Sequence, residues 1–330
     1  MEQILHISKN EKNFVLRAKI IKIIRNFFEN EGFLELDPPI LIKYPDSEPN
    51  LSPISVEIQN EKKENFNGFL HTSPEYTMKK TLASGFKKIF TITHCFRNCE
   101  SFGGHHNPEF TMLEWYRAEE DFYKIMKDCE DLLKLISQKT GITKINGVNI
   151  EKKWEKISMK ELWQKYVNVN LDKYCETSKM YKLCKKLGFN AGKNEPFEDL
   201  FYRIFLNKIE EYLGKKVPTI VYNYPAQMAS LAKISKENPK YAERFELYVN
   251  GIELANAFSE LTDENEQRKR IEKDNPHFGI DEEFINAVEK MPKSAGIALG
   301  VDRLIMLFAN CKKIENILLL PTNKLFNLKK

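Results

Sequence analysis

A chain of 330 residues is long enough for one large domain or two ordinary ones, and 42% apolar with 30% charged residues is the composition of a folded globular protein. The formal net charge of +4 neither demands nor excludes a nucleic-acid partner. No run of about 18 apolar residues predicts a membrane span, and MEQILHISKN lacks the charged-then-apolar build of a leader, so a cytoplasmic protein with free thiols at its six cysteines is expected.

Leu16, Ile20, Ile23, Ile24, Phe27 and Phe28 recur at helical spacing and Gly32 supplies the stop. Asp37-Pro38-Pro39 bars a helix and predicts an extended segment over 33–41. Ser73-Pro74-Glu75 reads as a helix start. KIFTITHCFRN and EFTMLEWY, joined by a polar loop with Gly103 and Gly104, predict an antiparallel hairpin. A helix follows over 118–138, with an apolar stripe from Phe122 to Ile136. Residues 140–215 are Lys-rich and predict a helical accessory segment within one 1–330 domain. Asn250-Gly251 sits between two strand-like runs and predicts a tight hairpin. A charged helix over 263–274, then a buried strand, Gly300 and a helix opening near Asp302 complete the order. Antiparallel strands flanked by helices, without βαβ repetition, predict an α+β fold. No Gly-rich phosphate loop is present, so a nucleotide would have to be held by side chains.

Three constellations carry chemistry. On the strand after the polar loop, Phe110, Met112, Glu114 and Tyr116 share one face, suited to a flat ring at one end and a cation at the other. Arg97, at the loop mouth, can grip a phosphate bidentately, or pair at the surface with Glu109 or Glu114. In GIELANAFSEL, Glu253, Asn256 and Glu260 interrupt an apolar strand, and buried carboxylates there need a cation, either Mg²⁺ with nucleotide phosphates or a substrate ammonium. Strict alternation places Glu253 opposite Asn256 and Glu260, so a shared site requires a bulge between 253 and 256. Arg303, in GVDR, would aim a cation at the same region. Cys95, Cys99, His105 and His106 lie within twelve residues, but CxxxC followed by adjacent histidines is not a usual zinc spacing, and ordinary hairpin residues are the expectation.

These residues resemble a known family. FRN with HNPEFTMLEWY resembles motif 2 of the class II aminoacyl-tRNA synthetases, ALGVDRLIMLF resembles motif 3, and the helix with GFLELDPPIL resembles motif 1. The nearest subgroup is lysyl-tRNA synthetase with its free-standing paralogue, elongation factor P–(R)-β-lysine ligase. The match runs from about residue 14 to 320. The resemblance implies a class II catalytic domain with a mixed, mostly antiparallel sheet. It implies ATP and Mg²⁺ as cofactors, an aminoacyl adenylate of lysine or β-lysine, and a homodimer with Pro39 at the position of the motif 1 proline. With about fifteen residues before the first long helix, no anticodon-reading OB-fold fits. That favours the ligase and elongation factor P as acceptor. A truncated synthetase charging tRNA or making free lysyl adenylate is the alternative, and a non-catalytic regulator a more distant one.

Carried over residue by residue, Arg97 resembles the arginine on the α-phosphate and substrate carboxylate, Phe110 the ring stacked on adenine, and Arg303 the γ-phosphate arginine. Asn98, Glu100, Asn107, Leu254 and Gly300 fall at ATP contacts. Ser73, Pro74, Glu75, Glu114, Tyr116, Asn256, Glu260 and Ala298 fall in the diamino-acid pocket, and Glu253 with Glu260 near the metal. Cys99 stands where the family usually has glutamate, leaving Glu100 to take that role. The loop is one residue longer and lacks the usual arginine. Pro38 replaces a threonine, and Ala298 replaces the glycine of lysyl-tRNA synthetases.

Overall fold

The computed structural model describes residues 2–46, 48, 51–274 and 277–326. The chain opens with α1 (Glu2–Lys9) and α2 (Glu11–Asn30), which buries the expected Ile20, Ile23, Ile24, Phe27 and Phe28. Gly32 at φ 77° ends this helix where a side chain would be strained. Two short strands follow, β1 (Leu34–Glu35) and β2 (Leu41–Ile42). A hairpin that the sequence reading left undescribed comes next, β3 (Ile54–Gln59) and β4 (Asn65–Leu70). Helix α3 (Glu75–Ala83) starts at Pro74 as its spacing predicts.

The predicted hairpin is β5 (Lys88–Phe96) paired antiparallel with β6 (Glu109–Ala118). Helix α4 (Phe122–Thr140) is capped by the Asp121 side chain and closed by left-handed Gly141. The 140–215 segment contains β7 (Lys144–Ile145), β8 (Val148–Asn149) and β9 (Glu155–Ser158), then α5 (Met159–Val167), α6 (Thr177–Lys186) and α7 (Phe197–Lys208). Its helices share a hydrophobic cluster with Trp163, Leu183, Phe201 and Phe205 at the centre. Strand β10 (Thr219–Pro225) was not foreseen. Strands β11 (Tyr241–Val249) and β12 (Ile252–Ser259) turn at Asn250-Gly251 as expected. Then come α8 (Glu264–Asp274), the unforeseen α9 (Glu282–Lys290), β13 (Ser294–Gly300), α10 (Val301–Phe308) and α11 (Thr322–Leu325).

Among the described residues the main sheet has eight strands in the order β1-β5-β6-β13-β12-β11-β10-β9. The outer pairs β1–β5 and β9–β10 are parallel and the other pairs antiparallel, which makes the sheet mixed and mostly antiparallel in an α+β fold. One face buries Leu113, Trp115, Phe245, Leu247, Ala255, Ala257, Ile297 and Leu299 against α2, α4 and α10 and forms the main core. Side chains alternate along strands, so the intervening residues must face the other way. The register aligns Thr91, Glu114, Ala298, Asn256 and Glu246 in one row across five strands. The neighbouring row runs Tyr116, Gly296, Phe258 and Arg244. The polar residues singled out from the sequence therefore lie on the sheet face opposite the main core.

The anticipated irregularity in β12 is present. Tyr248 pairs with Glu253 and Leu247 with Ala255, which leaves Leu254 as an extra residue. The bulge returns Glu253 to the face that carries Asn256, Phe258 and Glu260.

Candidate active site

Two cavities open on this face and meet at Arg97, Glu253 and Asn256. The smaller, about 250 Å³, is lined by Phe110, Leu254, Ala298, Gly300, Arg303 and the loop residues Glu100, His106 and Asn107. The larger, about 650 Å³, lies towards α7 and α8.

In the smaller cavity the two guanidinium groups are held by neutral partners. Arg97 lies over the Phe110 ring at 5.0 Å and its backbone N–H donates to Pro108 O. Its Nε is buried without a hydrogen-bond partner among the described residues. The surface pairs open to it in the sequence are not made, because Glu109 meets His94 at 3.2 Å and Glu114 turns inward. Arg303 follows Gly300, the N-cap of α10, and donates to Glu253 O at 2.9 Å and His105 O at 3.4 Å. His106 bridges Glu100, at 2.8 Å from Nδ1, and Arg303, at 3.3 Å from Nε2. Glu100, not Cys99, faces this cavity, and Cys99 is exposed with φ 59°. Cys95 is buried and His105 and His106 belong to the loop. Among the described residues no three His, Cys, Asp or Glu side chains converge as a metal site.

Two expected nucleotide contacts have other work. Asn98 is exposed and lines neither cavity. Its side chain accepts from the Cys99 N–H at 2.9 Å. Asn107 reaches the small cavity, but its amide ties the loop to the C-terminal segment, donating to Glu109 O and accepting from the Thr322 N–H.

Deeper along the face the charge reverses. Ser73 donates to Glu114 at 2.5 Å and the Tyr116 hydroxyl donates to the same carboxylate at 2.8 Å. Burial, then the neighbouring Glu75, holds the Glu114 carboxyl well above its ordinary range. Pro74, as the cap position of α3, sets Ser73 and Glu75 on either side of the helix start. Glu75 and Glu260 meet at the Lys79 ammonium, at 2.6 and 2.7 Å, with the lysine side chain 1% exposed. Gly296 permits this packing, since a Cβ there would fall on the Tyr116 ring and on Glu260 Oε1.

Of the two carboxylates expected near a metal, Glu260 has the Lys79 ammonium against it, whereas Glu253 lines both cavities. The second carboxylate beside Glu253 is Glu246, one strand over on the same face. Burial and Glu246 push the Glu253 carboxyl up to about 7, against the pull of Arg303 and Arg244. Glu246 accepts from Arg244 at 2.7 Å, Tyr224 at 2.6 Å and Tyr248 at 2.5 Å, and Arg244 Nε donates to Asn256. Sequence reasoning missed this group. The signal was the alternation in Arg244-Phe-Glu246-Leu-Tyr248, three polar heads on one face of a strand whose other face is core. Both oxygens of Glu246 are thus engaged, and Glu253, which lines both cavities, is the carboxylate of this pair that suits Mg²⁺, an ion that takes few protein ligands and completes its shell from phosphates and water.

The sequence profile of the class II tRNA synthetases (D, K and N) matches residues 3–324. The chain belongs to this family, and as a member it is an ATP-dependent ligase. Among its relatives, the elongation factor P–(R)-β-lysine ligase of Haemophilus influenzae (strain PittGG) is 39% identical over 323 residues, covering 94% of this chain and 95% of that one. The protein of the same name from Actinobacillus succinogenes is 38% identical over 326 residues (95% and 96%), and that from Proteus mirabilis 37% identical over 321 residues (94% and 94%). No helix among the described residues is long and apolar enough to cross a membrane.

Proposed function

We propose that the chain joins ATP to a lysine-like diamino acid, giving the aminoacyl adenylate and pyrophosphate, and then passes the aminoacyl group to a lysine amine of elongation factor P with release of AMP. The observation that carries this is the opposed charge of two adjoining sites on one sheet face, guanidinium groups at one and an excess of buried carboxylates at the other.

In the first step the substrate carboxylate attacks the α-phosphorus. Arg97, between the two sites, offsets charge on the α-phosphate and orients the carboxylate, Arg303 holds the distal phosphates, and Phe110 stacks on the base. Mg²⁺, taken by Glu253, would neutralise the triphosphate. Glu114 with Tyr116 and Glu75 with Glu260 receive the two ammonium groups. The acceptor amine enters through the larger cavity, which reaches the junction at Arg97 and whose lining mixes Glu198, Glu246, Glu253, Glu266 and Asp274 with Arg244, Lys269, Arg270 and Lys273. Pro39 and Ile40 are exposed and available to a second copy of the chain, as a homodimer requires.

Incubation with ATP, lysine or β-lysine, and elongation factor P, followed by intact mass, tests the reading. The expected result is one added aminoacyl residue on elongation factor P, and more with one diamino acid than with the other. Pyrophosphate exchange together with charging of tRNA and an unmodified elongation factor P would replace it by the tRNA reading.

A further inference from the structure

The carboxylates of the inner site outnumber the cations the protein offers them. Glu75, Glu114 and Glu260 converge there, and the one cation among the described residues that touches them is Lys79. Behind them Asp46 accepts from Thr72 Oγ1 and the Ser73 N–H. Burial, then Glu75, pushes its carboxyl up to about 8, so near neutral pH it holds its proton and adds no charge. The adjacent lysine, Lys80, points outward to Asp281, so only one of two consecutive lysines is drawn inside.

Burying a lysine ammonium at 1% exposure is unfavourable unless paired charges compensate. Burial acts to lower the Lys79 pKa, but Glu260 and Glu75 outweigh it and keep the group charged. Its carboxylate partners are not saturated in return. Glu260 Oε1 is buried without a hydrogen-bond partner among the described residues, on the side facing Gly296 and Tyr116. Burial raises the Glu114 and Glu260 carboxyls, and a diamino acid whose carboxylate is taken by Arg97 would bring two ammonium groups, so that with Lys79 three carboxylates would face three cations.

We infer that Lys79 is a positioning residue, an internal counter-ion that clamps Glu75 and Glu260 and sets the charge capacity of the pocket at two substrate ammonium groups. This rests on the diamino-acid reading above. Lys79 does not touch the reacting atoms. It acts through the two carboxylates, holding them apart and ionised so that each keeps an oxygen for substrate. Without it, Glu75 and Glu260 repel or share a proton. The groups that face them are Glu114 and Tyr116 from β6 and Asp46 from the segment before β3, none of which is a cation.

Lys79→Met and Lys79→Gln, the second keeping a hydrogen-bond donor without the charge, test this by pyrophosphate exchange between pH 6 and 9. Both should raise the KM for the diamino acid by about tenfold or more at pH 8.5, with the KM for ATP within about twofold of the parent. The loss should shrink towards pH 6, where a proton shared by Glu75 and Glu260 replaces the missing charge. Should either variant fold and keep the parent KM across the range, or lose affinity for ATP and amino acid alike at every pH, the counter-ion role is overturned. If the parent enzyme itself gives no exchange with any diamino acid while still binding ATP, the underlying reading fails instead, and Lys79 loses the substrate it was assigned.

Discussion

At the end of the sheet face proposed for the nucleotide, Arg97 and Arg303 are steadied by an aromatic ring and by backbone carbonyls, so their charge remains available. At the end proposed for the amino acid, Glu75 and Glu260 are steadied by a buried ammonium, and Glu114 by two hydroxyl donors. The comparison separates two ways of holding a charge for a ligand. A guanidinium with several donors can be fixed through some of them by neutral acceptors and present the rest. Carboxylates crowded within one enclosed site repel, and need a charge of opposite sign before they can remain ionised together. Each end is left with an excess of the sign its ligand lacks.

Removing Arg97 should give the largest effect. Arg97→Ala is expected to slow pyrophosphate exchange by about 10² to 10³-fold, by analogy with lost oxyanion donors, with an unchanged melting temperature. A fully active variant would erase the distinction between the ends. Gly296→Ala attacks the other end by steric means, since the added methyl meets Tyr116 and Glu260. It should raise the amino-acid KM by about tenfold and cost about 1–3 kcal/mol of stability in chemical denaturation, leaving the ATP KM nearly alone.

Asp46 sharpens the comparison through pH. Its folded-state carboxyl titrates near 8 while the unfolded chain releases the proton near 3.8. Between those values the folded state binds more protons, so this group's contribution makes stability fall as pH rises from about 4 to 8, and it is flat outside that window. Asp46→Asn should remove that slope and stabilise the protein relative to the parent by on the order of 1 kcal/mol or more at pH 8, and less at pH 5. Equal melting shifts at both pH values would show that burial there does not oppose ionisation. The smallest effect is expected in the larger cavity. Glu198→Gln should slow transfer to elongation factor P by about twofold to fivefold, with a smaller change in pyrophosphate exchange. A change confined to exchange would argue against that cavity as the acceptor's route.

Much of this arrangement was legible because strands write their two faces into alternate letters. The β5–β6 hairpin, the Asn250-Gly251 turn and the kink in β12 all followed from residue order alone. Burial partners were not legible. Lys79 and Lys80 are the same letter twice, and only the packing of α3 against β6 and α9 sends one inward and the other to Asp281. Glu253 and Glu260 likewise look equivalent along one strand, yet their neighbours are Glu246 for one and Lys79 for the other, residues far apart in the chain. The β3–β4 hairpin was missed because its apolar letters are few and largely exposed, and β10, although buried and rich in Ile, Val and Tyr, because it directly follows the Lys-rich helical run.

The extra residue in β12 gives that stretch a parity. Deleting Leu254 alone would join Glu253 directly to Ala255, restore even spacing and leave Glu253 opposite Tyr248 on the polar face, at the cost of one side chain lining the smaller cavity. One residue inserted in β11 between Leu247 and Tyr248 would instead give Leu254 a partner and turn Glu253 to the apolar face, so it is the difference in length between the two strands that keeps the carboxylate where it is.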